Sequence, residues 1–115
     1  MITLYGIKNC DTVKKATKCL DSLGLEYEFF DYKKTLPSAD LVQSWVTQFG
    51  WDKVLNKRGT TYRKLDENTK ENLNADNVVE VLLANPSAIK RPILVSSKTT
   101  LIGFNADEYQ NTLLK

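Results

Sequence analysis

A chain of 115 residues with 42% apolar side chains has enough material for one hydrophobic core of domain size. A formal net charge of +2 creates no global field that would make nucleic acid or a membrane surface the expected partner. No apolar run approaches the roughly 20 residues of a bilayer span. Lys8, Asp11, Lys14 and Lys15 break up any leader-like stretch near the start, so a cytoplasmic monomer is expected.

The first run, Ile2-Thr3-Leu4-Tyr5-Gly6, has the β-branched and aromatic content of a strand. After it, Val13, Ala16, Leu20 and Leu23 recur at the spacing of an amphipathic helix face, and Gly24 is placed to end that helix. Cys10 falls at the junction between the two. A cysteine there lies near unpaired backbone N–H groups and the positive end of the helix dipole. Both favour the thiolate, which is the reactive form, and make Cys10 a candidate nucleophile.

Tyr27-Glu28-Phe29-Phe30-Asp31-Tyr32 reads as a second strand, completing a βαβ unit. Lys33–Pro37 interrupts the pattern. Ser38 can cap a helix whose buried face is Leu41, Val42, Trp45, Val46 and Phe49, with Gly50 as its end. The next segment reads as discontinuous helix: a short piece at Trp51–Leu55, a turn near Glu67–Asn72 and a helix across Asp76–Leu83. Asn56–Lys64 reads as a loop between them, and residues 53–64 hold five Lys or Arg and no acid. Asn85-Pro86 stops the last helix. Pro92–Ser96 and Thr99–Gly103 are strands at hairpin spacing around Ser97-Lys98, and Asn105 can cap a final helix. The order predicts one mixed sheet built from residues 1–36 and 86–115, with 37–85 as a helical insertion.

Cysteine and histidine counts narrow the chemistry. Cys10 and Cys19 would be roughly 13 Å apart along a helix, beyond the roughly 4.4–6.8 Å a disulfide tolerates, so they are not expected to pair. Cys19 sits at the edge of the apolar face and reads as packing. The chain has no histidine, which excludes a Cys–His pair, a Ser–His–Asp triad and the common zinc sites. No metal is expected. A reactive Cys10 has to be activated by the helix terminus and by Lys or Arg.

A β-α-β…β-β-α order with cysteine at the first helix start is the thioredoxin-like pattern, an α/β fold with a mixed four-stranded sheet. Three stretches carry a closer resemblance: Tyr5-Gly6-Ile7-Lys8-Asn9-Cys10-Asp11-Thr12 with Lys14-Lys15-Ala16, then Leu55–Leu65, then Ile89-Lys90-Arg91-Pro92-Ile93-Leu94-Val95. In these the chain resembles the glutaredoxin-coupled arsenate reductase (ArsC) family over nearly its whole length. It looks closest to the Spx/MgsR-like branch and its YffB-type proteins.

The resemblance implies roles. Cys10 matches the family's nucleophile. Arg91-Pro92 matches its Arg-Pro pair, with a cis peptide and an arginine facing the site. Arg58 matches a further active-site arginine. Two departures qualify the substrate. Arsenate-reducing members carry another arginine near the place of Gly103-Phe104-Asn105, and here no arginine follows Arg91. Redox-sensing Spx-type members usually have Cys-x-x-Cys, and here the last position is Val13. Monothiol chemistry remains: a glutathione-dependent thiol reductase working through a mixed disulfide. Lys8, Arg58 and Arg91 are candidate contacts for glutathione's carboxylates. No tightly bound cofactor is expected; glutathione would be the co-substrate, with glutaredoxin a further partner. The family offers two alternatives, an RNA polymerase-binding regulator and a true arsenate reductase.

Overall fold

The computed structural model describes residues 2–114. In chain order its elements are β1 (Ile2–Gly6), α1 (Asp11–Ser22), β2 (Tyr27–Asp31), α2 (Ala39–Phe49), α3 (Trp51–Val54) and α4 (Thr60–Arg63). They continue with α5 (Glu67–Glu71), α6 (Val78–Ala84), a 3₁₀ turn at Pro86–Ala88, β3 (Ile93–Val95), β4 (Thr100–Ile102) and α7 (Ala106–Leu113). The chain forms two compact units, one holding everything up to Asp31 and from Arg91 onward, the other Tyr32–Lys90.

The first unit is the thioredoxin-like α/β sheet. Its strand order is β2-β1-β3-β4, with β1 and β2 parallel and β3 antiparallel to both β1 and β4. Alternation in β1 turns Ile2, Leu4 and Gly6 inward. There Ile2 and Leu4 join Val13, Ala16 and Leu20 of α1, Leu94, Leu101, and Tyr109 and Leu113 of α7 in one core. Tyr5, on the opposite face, stacks against its strand partner Phe30 with ring centres 4.9 Å apart.

Local chemistry fixes the ends of α1 and α7. Gly24 takes φ 70°, and the N–H groups of Gly24 and Leu25 donate to the carbonyls of Asp21 and Leu20, closing α1 in a Schellman motif. Asn105 caps α7 by accepting the Glu108 N–H at 3.0 Å. The hairpin joining β3 to β4 is held by Ser96, whose Oγ accepts the N–H groups of Lys98 and Thr99.

The second unit is helical. Ser38 caps α2, accepting the Leu41 N–H at 3.2 Å. Val42, Trp45 and Val46 bury the α2 face, which packs against α3 and α6. Three local readings change. The expected loop at 56–64 contains the single turn α4, started by extended Gly59 and closed by the Lys64 N–H on the Thr60 carbonyl. The turn near Glu67 is helical, because Asp66 accepts the Thr69 N–H at 2.6 Å. The helix expected from Asp76 starts at Val78, since Asn74 and Asn77 are engaged in side-chain bonds that hold a turn.

Unit boundaries fall at Asp31/Tyr32 and Lys90/Arg91, displaced from the expected 36/37 and 85/86. Residues 86–90 stay with the helical unit because their backbone pairs with α3 and the residues after it. Asn56 donates to the Ala88 carbonyl, Lys90 donates to the Val54 carbonyl (both 2.7 Å), and Leu55 bridges to Ile89.

The end of β1 is tightly packed. A Cβ at Gly6 would lie 2.8 Å from Val13 Cγ2. Gly6→Ala is therefore expected to destabilise the protein by about 1–3 kcal/mol through overpacking. A denaturation midpoint equal to wild type would show that α1 stands further from β1 than this geometry requires.

Candidate active site

Antiparallel pairing of β1 with β3, in register Tyr5↔Ile93, sets the end of β1 beside the start of β3. The residues that follow β1 and those that precede β3 therefore meet at one end of the sheet, at its two central strands. Cys10 arrives from the first side and Arg91-Pro92 from the second. The Arg91-Pro92 peptide is cis, as the resemblance implies. Pro92 is buried, and its carbonyl accepts the Gly103 N–H at 2.9 Å, continuing the β3–β4 ladder.

Cys10 is the N-cap of α1, with extended backbone (φ −96°, ψ 126°). Its N–H donates to the Ile7 carbonyl at 3.2 Å and its carbonyl accepts the Lys14 N–H at 3.0 Å, so the residue is held from both sides. The side chain is half-buried. Burial is the largest single influence on its thiol and pushes it up. The Val13 N–H, a hydrogen bond from Arg91, the Thr12 N–H and the Arg91 charge push it down, and together they prevail. The thiol is lowered overall. No capping hydrogen bond of ordinary length reaches the sulfur. The Val13 and Thr12 N–H groups act on it electrostatically, which is the interaction an N-cap thiolate needs.

The structure thus brings Cys10 and Arg91 together. Lys8 is exposed in the loop just ahead of Cys10. Arg58 belongs to the second unit, exposed in the turn before α4, with its backbone N–H on Asn56 Oδ1 at 3.2 Å. Cys19 is free, half-buried and packed against the first unit's core. Val13 and Thr12 enter as backbone donors, a contribution carried by their position in the first helical turn and invisible in their side chains. Among the described residues, no cluster of three Cys, Asp or Glu side chains could hold a metal ion, and no helix is long and apolar enough to cross a membrane.

Comparison with known proteins follows the same outline. The ArsC family profile matches residues 5–112. An uncharacterized protein of Haemophilus influenzae is 49% identical over 110 residues, 96% of each chain. The solved structure of a YFFB protein is 45% identical and superposes with a TM-score of 0.94, covering 98% of this chain and 99% of that one. The global transcriptional regulator Spx of Listeria innocua is 27% identical over 115 residues, 98% of this chain and 87% of that protein.

If Arg91 holds the thiolate, the pH at which Cys10 alkylation is half-maximal lies below the ordinary cysteine value near 8.5 and rises in Arg91→Met. Because the native thiol is lowered, its stabilisation of the fold is complete above the unfolded cysteine value and fades as pH falls through the native one. Alkylation profiles that coincide for the two proteins would remove Arg91 from the thiolate's support.

Proposed function

The chain belongs to the ArsC family, and within that frame we propose that it is a thiol–disulfide oxidoreductase that uses Cys10 alone and takes glutathione as co-substrate. The observation that carries this reading is the lowered Cys10 thiol beside the Arg91 guanidinium. The chemistry has two steps. Cys10 thiolate attacks the glutathionyl sulfur of a mixed disulfide; a Cys10–sulfur bond forms, the old S–S bond breaks, and the substrate thiolate leaves and takes a proton from solvent. A free glutathione thiolate then attacks the glutathionyl sulfur on Cys10, releasing oxidised glutathione and restoring the Cys10 thiolate.

Both resolution from outside and the choice of a sulfur substrate have structural support. Val13 stands where a second cysteine of a Cys-x-x-Cys pair would be, and Cys19 is packed in the core region. The segment in which arsenate-reducing relatives carry a further arginine is committed to structure here. Gly103 takes φ 76° and donates to Pro92, Phe104 packs edge-on to Tyr109 at 5.1 Å, and Asn105 caps α7. None of these supplies the cation that an oxyanion site needs. Arg91 and Lys8 are the first unit's candidate contacts for glutathione carboxylates, and Pro92 is the candidate backbone contact. Glutaredoxin is a candidate partner for resolving the adduct.

A second reading rests on the Spx likeness across 98% of the chain: a regulator that binds RNA polymerase. The basic segment 53–64 would carry it, with exposed Arg58 and Arg63 as contacts. Loss of polymerase capture in an Arg58→Ala/Arg63→Ala double variant, with no turnover of small mixed disulfides by the wild type, would select it.

Intact-mass measurement after exposure to oxidised glutathione is expected to show one glutathionyl adduct on the wild type. Cys19→Ser should retain it and Cys10→Ser should lose it. A wild type that stays unmodified, or an adduct that survives Cys10→Ser, contradicts the enzyme reading.

A further inference from the structure

Between α1 and β2 the first unit has an open groove of about 250 Å³, lined in part by residues that flank Cys10 in sequence. It is lined by Val13, Lys14 and Thr17 of α1, by Tyr27 and Phe29 of β2, and by Lys8 of the loop ahead of Cys10. Val13 joins the groove to the nucleophile: its N–H supports the Cys10 sulfur and its side chain lines the groove. Lys14 lies one helical turn beyond Cys10 on α1.

Three observations give this groove a chemistry. Neither the Lys8 nor the Lys14 ammonium has a hydrogen-bonding or ionic partner among the described residues. The groups that lower the Cys10 thiol are Arg91 and the backbone of Val13 and Thr12, so neither lysine is needed to make the nucleophile. The Thr17 Oγ1 is committed to the Lys14 carbonyl at 2.9 Å, and Tyr27 feels the negative charge of Asp21. The groove therefore combines two ammonium groups with the apolar surface of Val13, Tyr27 and Phe29, and Asp21 is the acid whose charge reaches Tyr27.

We infer that this groove seats the glutathionyl group that is joined to Cys10, with Lys14 and Lys8 meeting its carboxylates. The inference rests on the glutathione reading above and adds the subsite and Lys14. A glutathionyl group has a sulfur at its middle and a carboxylate toward each end. Bonded to Cys10, it can lay its peptide stem on Val13 and Phe29 while its carboxylates reach the two unpaired ammonium groups. Asp21 disfavours the opposite placement. In the forming step, Cys10 thiolate attacks one sulfur of oxidised glutathione, the Cys10–S bond forms, the S–S bond breaks, and one glutathione thiolate leaves to be protonated by solvent. Lys14 is a binding residue in this scheme and takes no part in the bond changes.

The test compares rates of Cys10 adduct formation in the full-length protein with oxidised glutathione and with 2-hydroxyethyl disulfide, which has no carboxylate, each followed by intact mass. The quantity read is the ratio of the two rates, because an effect on the thiolate itself cancels in it. Lys14→Glu is expected to lower the ratio about tenfold, Lys14→Gln about threefold, and Lys14→Arg should restore it. A ratio unchanged in Lys14→Glu overturns the groove assignment and leaves the glutathione reading intact. A wild type that forms no adduct with oxidised glutathione overturns both.

Discussion

The site depends on a contest over one sulfur atom. Taking Cys10 half out of water favours the neutral thiol, and that is the largest single influence on it. Two backbone N–H groups of the first turn of α1 and the Arg91 guanidinium act the other way and prevail together. Each needs accurate placement, because the field of an N–H or a guanidinium weakens steeply over a few ångströms in a partly wet site. The fold supplies that placement twice over. Val13 is locked by its packing under β1 at Gly6, and Arg91 is delivered by the β1–β3 pairing through a cis proline bond. Core packing and thiol chemistry therefore share a residue, Val13, whose side chain belongs to the first and whose N–H belongs to the second.

This balance suits a nucleophile that works without a base. A cysteine paired with histidine can be fully ionised yet keep a proton at hand, and this chain has no histidine. Lowering a thiol also weakens it as a nucleophile, since reactivity falls with basicity. Burial acts against that lowering. Exchange with a disulfide suits a thiolate without such a base, because the leaving sulfur needs no general acid near neutral pH. It is less suited to expelling an oxygen leaving group, which does need one.

Much of the architecture was legible because it rests on local signals. Period-2 alternation in β1, the apolar stripe of α1, and the Ser38, Gly24 and Asn105 caps each name their element without tertiary help. The misreadings came where short polar residues decide. A run of Asn and Thr with four cations reads as a loop, yet Gly59 and Thr60 turn it into a helical turn, and Asn74 and Asn77 delay α6 by bonding to the backbone. The unit boundary moved for another reason: residues 86–90 pair with residues 54–56, a long-range backbone contact that no local pattern announces. At the site, the helix-start position of Cys10 was readable, whereas its donors were not. Val13 looks like a core valine in any periodicity, and its N–H acts only because of where α1 begins.

The basic character of the second unit is also partly a matter of folding. Lys57 pairs with Asp52 at 3.1 Å and lies over the Trp51 ring at 5.2 Å, while Lys70 donates to the Arg63 carbonyl and covers Tyr62. Such contacts tie the turn at Lys57 back to α3 and join α5 to α4, where few side chains are buried, since α4 and α5 bury none completely. A charge count over 53–64 therefore overstates the cations free to meet a partner. Lys8 and Lys14 differ, because no hydrogen bond or ion pair engages their charge among the described residues. A lone ammonium on a surface is ordinary. Two of them lining an apolar groove, on either side of a lowered thiol in sequence, put charge beside apolar surface. That combination matches a small, carboxylate-bearing thiol better than it matches an inorganic oxyanion, which would have no use for Tyr27 or Phe29.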